Sequence, residues 1–499
     1  MITGIASEKR KKIFLIRPGF WNLDNFFHPI QADPPLDLKY AAGLLNKSGH
    51  SDVEILDCFN DRILEKDLVI KILEKSPLAV IISIAIFNHR RAWELARSLK
   101  IIDNRIIIIA AGHDPTVRTK AYSSYQSPFD IVLERQFEEG VVDVVNKLNK
   151  STDMEEFKKI HNKQPIPPSP NKFSNLDNFF PLEYTPKDLK RYTFIYPVRL
   201  NKKIVCGYIM SSRGCTHNCI FCTQAVRKTY AKEMQFRTAS SVADEIEQLI
   251  NQGANLISFL DDNFSGSRSH VLSICQEITR RELKVPWVAS ARIDELDCAL
   301  LEVMKKAGCI LLLLSVESGV ERIIKKLNKT QYPNGWVKKA EFIFAAAQKI
   351  GIETCALFMV GNPEETKEEI ERSIILAKKL RPAFIKVHFF TPYPGTAIYE
   401  TIKDSVPEEA LDLMHHYFSP VVNLSAMDMA RLKMAQGHFY KKFFFRPGYI
   451  IQHLIKYSLF YLYNINVFKI LSSFIYKMIK DSFNICKNIG TVFCENNER

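Results

Sequence analysis

Three cysteines, Cys215, Cys219 and Cys222, fall in a C-x3-C-x2-C pattern within Ser211-Ser212-Arg213-Gly214-Cys215-Thr216-His217-Asn218-Cys219-Ile220-Phe221-Cys222. Three thiolates on one short loop suit three irons of a cubane cluster, because thiolate is a soft ligand that favours iron–sulfur chemistry. The fourth iron then stays open to a non-protein ligand, and an open position makes it reactive. Gly214 permits a tight turn before the first cysteine, and Phe221 would shield a cluster from water. Other chemistries fit the spacing too. Cys219 and Cys222 alone have the spacing of a redox pair of the thioredoxin kind, although that motif opens a helix without a third cysteine at this offset. A zinc site would recruit His217 or Cys206 as a fourth ligand. Cysteines buried side by side through coincidence are the plainest reading.

The elements that must position this loop follow an α/β plan. Residues 1–150 alternate apolar strands (Lys12–Ile16, Val53–Leu56, Leu78–Ile84, Arg105–Ala111 and Phe129–Leu133) with helical stretches at Pro35–Lys47, Leu64–Lys75, Arg90–Lys100 and Glu138–Leu148. Continuous runs such as Ile106–Ala111 fit strands covered on both faces, hence a parallel, doubly wound, Rossmann-like domain. Residues 151–200 read as a linker, since Gln164–Pro170 is too rich in proline for a helix or a central strand. Residues 201–400 alternate again. Strand candidates end near Ser212, Leu260, Ala291, Val316, Val360 and Phe390, with helices at Ala239–Asn251, His270–Arg281, Asp294–Ala307, Trp336–Lys349 and Glu365–Leu380. Six such units suit a partial (β/α)6 barrel of the TIM type, whose chemistry sits at the carboxyl ends of its strands. Residues 401–499 read as a helical C-terminal region.

With 499 residues, 46% of them hydrophobic and 25% charged, the chain is neither disordered nor collagenous. Eleven cysteines are too few for a secreted disulfide scaffold. The first twelve residues lack the apolar core of a signal peptide, so a cytoplasmic protein is expected. Much of the net charge of +13 sits at the C-terminus, where Tyr440–Arg499 holds nine Lys and Arg against three Asp and Glu. No Arg-rich tract with interleaved aromatics and no zinc-finger or RRM signature occurs, which disfavours nucleic acid. A membrane surface remains open, by peripheral contact only. The apolar stretch Tyr457–Phe468 is twelve residues long and interrupted by Asn464 and Asn466, whereas a span takes about twenty.

Further segments join the cysteine loop in one resemblance. Ile257–Phe264, Val316-Glu317-Ser318-Gly319, Phe358–Thr366 and Thr391–Thr396 all end expected strands. Together they make the chain similar to radical S-adenosylmethionine (SAM) enzymes. More narrowly, it resembles those with an N-terminal cobalamin-binding domain, such as the anaerobic magnesium-protoporphyrin monomethyl ester cyclases and the hopanoid methylases. The resemblance implies that Cys215, Cys219 and Cys222 bind a [4Fe-4S] cluster whose fourth iron takes the amino and carboxylate groups of SAM. Asp261 or Asp262 would sit near that amino group, an acidic side chain being a sound partner for an ammonium. Ser290, Arg292 and Glu317 would contact the ribose or carboxylate. Glu364 and Thr366 instead read as the start of the next helix. Electron transfer from a flavodoxin or ferredoxin would cleave SAM to a 5′-deoxyadenosyl radical, which abstracts hydrogen from an unactivated carbon.

The N-terminal part resembles the family's cobalamin domain through Asp33–Leu45, with Pro35 and Leu36 in its first loop, and through Ser83 and Gly112 at two strand ends. Bound cobalamin would then feed a radical methylation. Two loops depart from the family's pattern. Gly112-His113 stands where relatives carry Gly-Gly, and Glu134-Arg135-Gln136-Phe137 replaces a glycine-rich stretch; side chains there limit close backbone approach. The Asp-x-His-x-x-Gly motif that supplies a lower axial histidine is missing. Phe443–Ile451 resembles the family's helical tail, and its basic, aromatic continuation suits either an anionic membrane or packing on the barrel. The first alternative would favour a lipid or other hydrophobic small molecule as substrate. Radical cyclisation or oxidation without methyl transfer is the alternative within the family, and a zinc-stabilised binding protein the alternative outside it.

Overall fold

The computed structural model describes residues 11–19, 33–151, 165–166, 176–179, 186–223, 234–411, 413–416, 420–467 and 469. Its first sheet holds β1 (Ile13–Arg17), β2 (Val53–Asp57), β3 (Ala79–Ser83), β4 (Ile107–Ala111), β5 (Ile131–Leu133) and β6 (Pro165–Ile166). All pairings are parallel, in the order β2-β1-β3-β4-β5-β6. Every residue of β4 is buried, as its unbroken apolar run requires. The strand order reverses between β1 and β3, and ligands of open parallel sheets bind at such a switch point, beyond the carboxyl ends. Pro165 sits on the edge strand β6, where a missing amide proton does least harm. Most of the expected linker lies outside the described residues.

The second sheet takes β7 (Cys206–Ile209), β10 (Leu256–Phe259), β11 (Trp287–Arg292), β12 (Cys309–Glu317), β13 (Glu353–Val360) and β14 (Phe384–Phe389). They pair in parallel and in chain order. Helices 239–251, 268–280, 298–306, 336–350 and 367–380 alternate with them. The result is an open arc of six β/α units whose ends, β7 and β14, are not paired to each other among the described residues. A small antiparallel pair, β8 (Ser212–Arg213) with β9 (Gln235–Phe236), braces the start of the cysteine loop. The helix expected from Asp294 begins instead at Cys298, because Asp297 is the cap: its side chain accepts from the Leu300 amide at 2.8 Å. Thr366 caps helix 367–380 and shares a capping box with Glu369. Glu364 lies outside that helix and pairs with Lys326.

Helix 36–47 binds the two sheets together. Leu38, Ala41 and Leu45 enter the core of the first sheet, while Leu36 and Tyr40 on the opposite side enter the core of the second. Ile86 and Phe87, after β3, pack with Leu411, Met414 and Tyr393 in a further apolar cluster across the join. In the C-terminal region, helix 429–444 lies against β13 and β14, and helix 447–463 follows with Pro447 in its first turn. No described helix is long and apolar enough to cross a membrane. Phe468 and residues 470–499 fall outside the described residues.

Candidate functional site

β7 runs into the cysteine loop, and two consecutive aspartates beyond β10 hold the loop's first turn. Asp261 Oδ1 accepts from the Ser211 amide at 2.7 Å, and its Oδ2 accepts from the Ser211 and Ser212 hydroxyls at 2.5 and 2.7 Å. Burial pushes this carboxyl up to about 6, against the pull of those donors. Asp262 Oδ2 accepts from the Gly214 amide at 2.8 Å, yet the residue stays exposed. Gly214 has a φ of +89°, a conformation that suits glycine and strains other residues.

Past that turn, Cys215, Cys219 and Cys222 are free thiols. Cys219 is buried, and Arg292 Nη1 lies 3.6 Å from its sulfur. Burial pushes the Cys222 thiol up to about 12, with Cys219 and Cys215 adding to the rise. Such a thiol ionises when a metal meets it, since coordination deprotonates a thiol outright. Among the described residues, no three His, Cys, Asp or Glu side chains are gathered around one metal ion. A cubane asks for something different, one thiolate to each of three irons. Neither candidate for a fourth zinc ligand joins them. Cys206 is buried within β7, and His217 Nε2 faces Glu295 at 2.7 Å. The donor set of three free thiols on one loop, with a cation beside one of them, fits the iron–sulfur group.

Around the cysteines the expected contacts divide. Arg292 is committed elsewhere: its guanidinium forks onto Asp294 at 3.1 and 2.8 Å and donates to the Lys329 carbonyl. Ser290 lies two residues earlier on β11, hence on the same face, and is half-buried. Glu317 is buried with a φ of +65°, a strain of about 1–3 kcal/mol for a non-glycine residue and one that clusters at functional sites. Its partner is Lys329 Nζ at 2.7 Å, also buried. Phe221 meets Phe390 edge-on at 6.5 Å, with Lys329 Nζ 5.8 Å from its ring. Lys329 and the His217–Glu295 pair were not expected from sequence. In each pair one member, His217 or Glu317, lies in a segment that carries the resemblance, while its partner, Glu295 or Lys329, lies outside all of them.

In the N-terminal sheet, Ser83 Oγ donates to Asp37 Oδ2 at 2.6 Å, which brings the end of β3 against the start of helix 36–47. Pro35 precedes that helix, and Leu36 is buried in the core of the second sheet. Gly112 has a φ of +100°, and a Cβ there would come within 2.9 Å of the Ile84 amide; backbone packing alone demands glycine. The two departing loops carry an unexpected feature. His113 Nε2 and both amide atoms of Gln136 are buried with no hydrogen-bond partner among the described residues. Orphaned polar atoms of this kind cost about 1–3 kcal/mol each. Cobalamin, rimmed with amide groups, offers both donors and acceptors, so these side chains fit it rather than bar it. Close by in sequence, Glu138 forms a buried ion pair with Arg213, two residues before Cys215, and the Arg213 guanidinium lies 4.9 Å from the Phe179 ring.

The profile of the radical SAM superfamily matches residues 209–377. An uncharacterized methyltransferase of Pyrococcus horikoshii is 25% identical over 434 residues, covering 85% of this chain and 90% of its own. The anaerobic magnesium-protoporphyrin IX monomethyl ester cyclase of Rubrivivax gelatinosus is 23% identical over 432 residues, 84% of this chain and 75% of its own. Among solved structures, the radical SAM methyltransferase TsrM from Kitasatospora setae, with cobalamin and a [4Fe-4S] cluster bound, superposes with a TM-score of 0.58 at 15% identity. That likeness covers 79% of this chain and 75% of the other, and is one of fold. The matched stretch opens at the last residue of β7 and takes in the cysteine loop, its aspartate anchors and the strands through β13; residues 209–377 of the chain form a radical SAM domain.

Proposed function

We propose that the chain is a cobalamin-dependent radical SAM methylase acting on an unactivated carbon of a hydrophobic small molecule. The observation that carries this reading is the buried Arg213–Glu138 ion pair. It ties the cysteine loop to the helix that follows β5, so the loop and the N-terminal sheet's ligand-binding edge are one ion pair apart. When bound, the cluster and SAM supply a 5′-deoxyadenosyl radical, and cobalamin supplies a transferable methyl group.

The chain's own residues bind and orient. Cys215, Cys219 and Cys222 hold the cluster. Asp262, exposed beside the loop, is better placed than Asp261 to meet the SAM ammonium, because both oxygens of Asp261 are taken by Ser211 and Ser212. Ser290 and the Glu317–Lys329 pair serve the SAM ribose and carboxylate. Arg292 acts through Cys219 rather than through SAM, since its remaining nitrogens are engaged. Phe221 and Phe390 keep water from the loop. Ser83, Gly112, Pro35 and the first turn of helix 36–47 form the cobalamin edge, and a flavodoxin or ferredoxin delivers the electron.

Anaerobic reconstitution with iron, sulfide and cobalamin, followed by SAM and a reductant, should release 5′-deoxyadenosine and S-adenosylhomocysteine together. 5′-Deoxyadenosine alone would leave cyclisation or oxidation, the reaction type of the Rubrivivax relative's name. Neither product would end the reading. Gln136→Leu tests the cobalamin edge. Loss of one or two hydrogen bonds should weaken cobalamin retention about three- to tenfold, while the cobalamin-free variant keeps or gains thermal stability because a buried unpaired amide is gone. Cobalamin retained as tightly as by the unaltered chain would overturn the assignment of Gln136.

A further inference from the structure

Helix 447–463 is built inside out. The side that meets the protein is aromatic and polar. Tyr449 Oη donates to the Ala383 carbonyl at 2.8 Å, Tyr457 Oη donates to Glu353 at 2.8 Å, and Asn464 Oδ1, just past the helix, accepts from the Ile204 amide at 2.9 Å. The side turned to solvent is mainly aliphatic, with Gln452, Ser458 and Tyr463 also exposed on it. Ile451, Leu454, Ile455, Leu459 and Leu462 are between 47% and 74% exposed. Their spacing of three and four residues places them on one stripe. A soluble helix ordinarily turns its aliphatic stripe inward, and a contiguous exposed patch of this kind marks an interaction surface.

Charge identifies the partner. From Tyr440 to Lys469 the sequence has five Lys and Arg and no Asp or Glu. Lys441 and Lys442, exposed at the end of the preceding helix, stand just ahead of the stripe. Lys456 is already paired with Glu353; aliphatic side chains flanked by the remaining cations, with no acid within the segment itself, are the pattern of a helix lying in a membrane interface. We propose that helix 447–463 docks its Ile and Leu stripe onto the surface of an anionic bilayer, lying along it and not across it. This inference rests on the stripe and the charge alone, independently of the radical chemistry.

The full-length chain should cosediment with vesicles of phosphatidylcholine and phosphatidylglycerol, weakly with phosphatidylcholine alone, and less as salt rises. The doubly substituted Ile455→Glu, Leu462→Glu should bind anionic vesicles at least about tenfold more weakly, each charge opposing insertion, with an unchanged melting temperature because both side chains are exposed. Lys441→Glu with Lys442→Glu should weaken anionic binding and leave the weak neutral binding alone. No binding by the unaltered chain would overturn the proposal, as would equal binding by the Ile455, Leu462 variant. A dimer in solution that this variant dissolves, without vesicle binding, would assign the stripe to a second copy. A chain ending at Lys469 that binds vesicles when the full chain does not would assign it to residues 470–499.

Discussion

Cys219→Ala should remove most of the iron from the reconstituted protein and cut 5′-deoxyadenosine release at least about 100-fold. Even residues that only support a metal ligand are worth about 10–100-fold, and Cys219 is one of the three thiols proposed to hold the cluster. It is also the one that Arg292 approaches, at 3.6 Å from its sulfur. Cys206→Ala is the matched control, because Cys206 is a buried core thiol on β7 and its loss should leave iron content unchanged. The 400 nm region of the absorption spectrum and the iron-to-protein ratio report on the cluster, and chromatography of the SAM products reports on cleavage. If Cys219→Ala kept its iron and still released 5′-deoxyadenosine, the three-cysteine cluster would be wrong.

Arg213→Met should destabilise the protein by about 3–5 kcal/mol, the range for removing one partner of a buried ion pair. Glu138 would be left with its carboxylate out of water, since the two side chains are 3% and 2% exposed. The methionine also gives up the cation–π contacts with Phe179 and Tyr40. The double substitution Arg213→Met, Glu138→Gln should recover much of the loss, because no buried charge then stands alone. Chemical denaturation of the two single variants and the double variant measures this coupling. A pair whose separate losses simply add would show that the ion pair does not couple the cysteine loop to the helix that follows β5.

Local sequence revealed the elements with continuous signals. The all-apolar β4 reads as a strand covered on both faces, and helix 239–251 begins where Thr238 offers a cap. The cysteine loop is legible for the same reason: its three thiols are neighbours in sequence. The roles of Asp261 and Asp262 are not. The same side chain stands at both positions, and only the local path of the chain decides which one turns to the Ser211–Ser212 hydroxyls and which stays in solvent. Lys329 and Glu317 meet through a bulge in β12 and a left-handed residue, neither of which periodicity signals. Arg213 and Glu138 are 75 positions apart, and nothing along the chain pairs them. Asp294 and Asp297 look alike as caps in the sequence, and only the second accepts the Leu300 amide, so the helix starts at Cys298.

Helix 36–47 sets a rule for recombining this architecture. A graft that exchanged the first sheet for a relative's would bring a foreign helix, and whatever side chains replaced Leu36 and Tyr40 would have to fill the same sockets in the other half. Viable crossovers should therefore inherit those two residues along with the arc, so that evolution trades these halves only as matched sets.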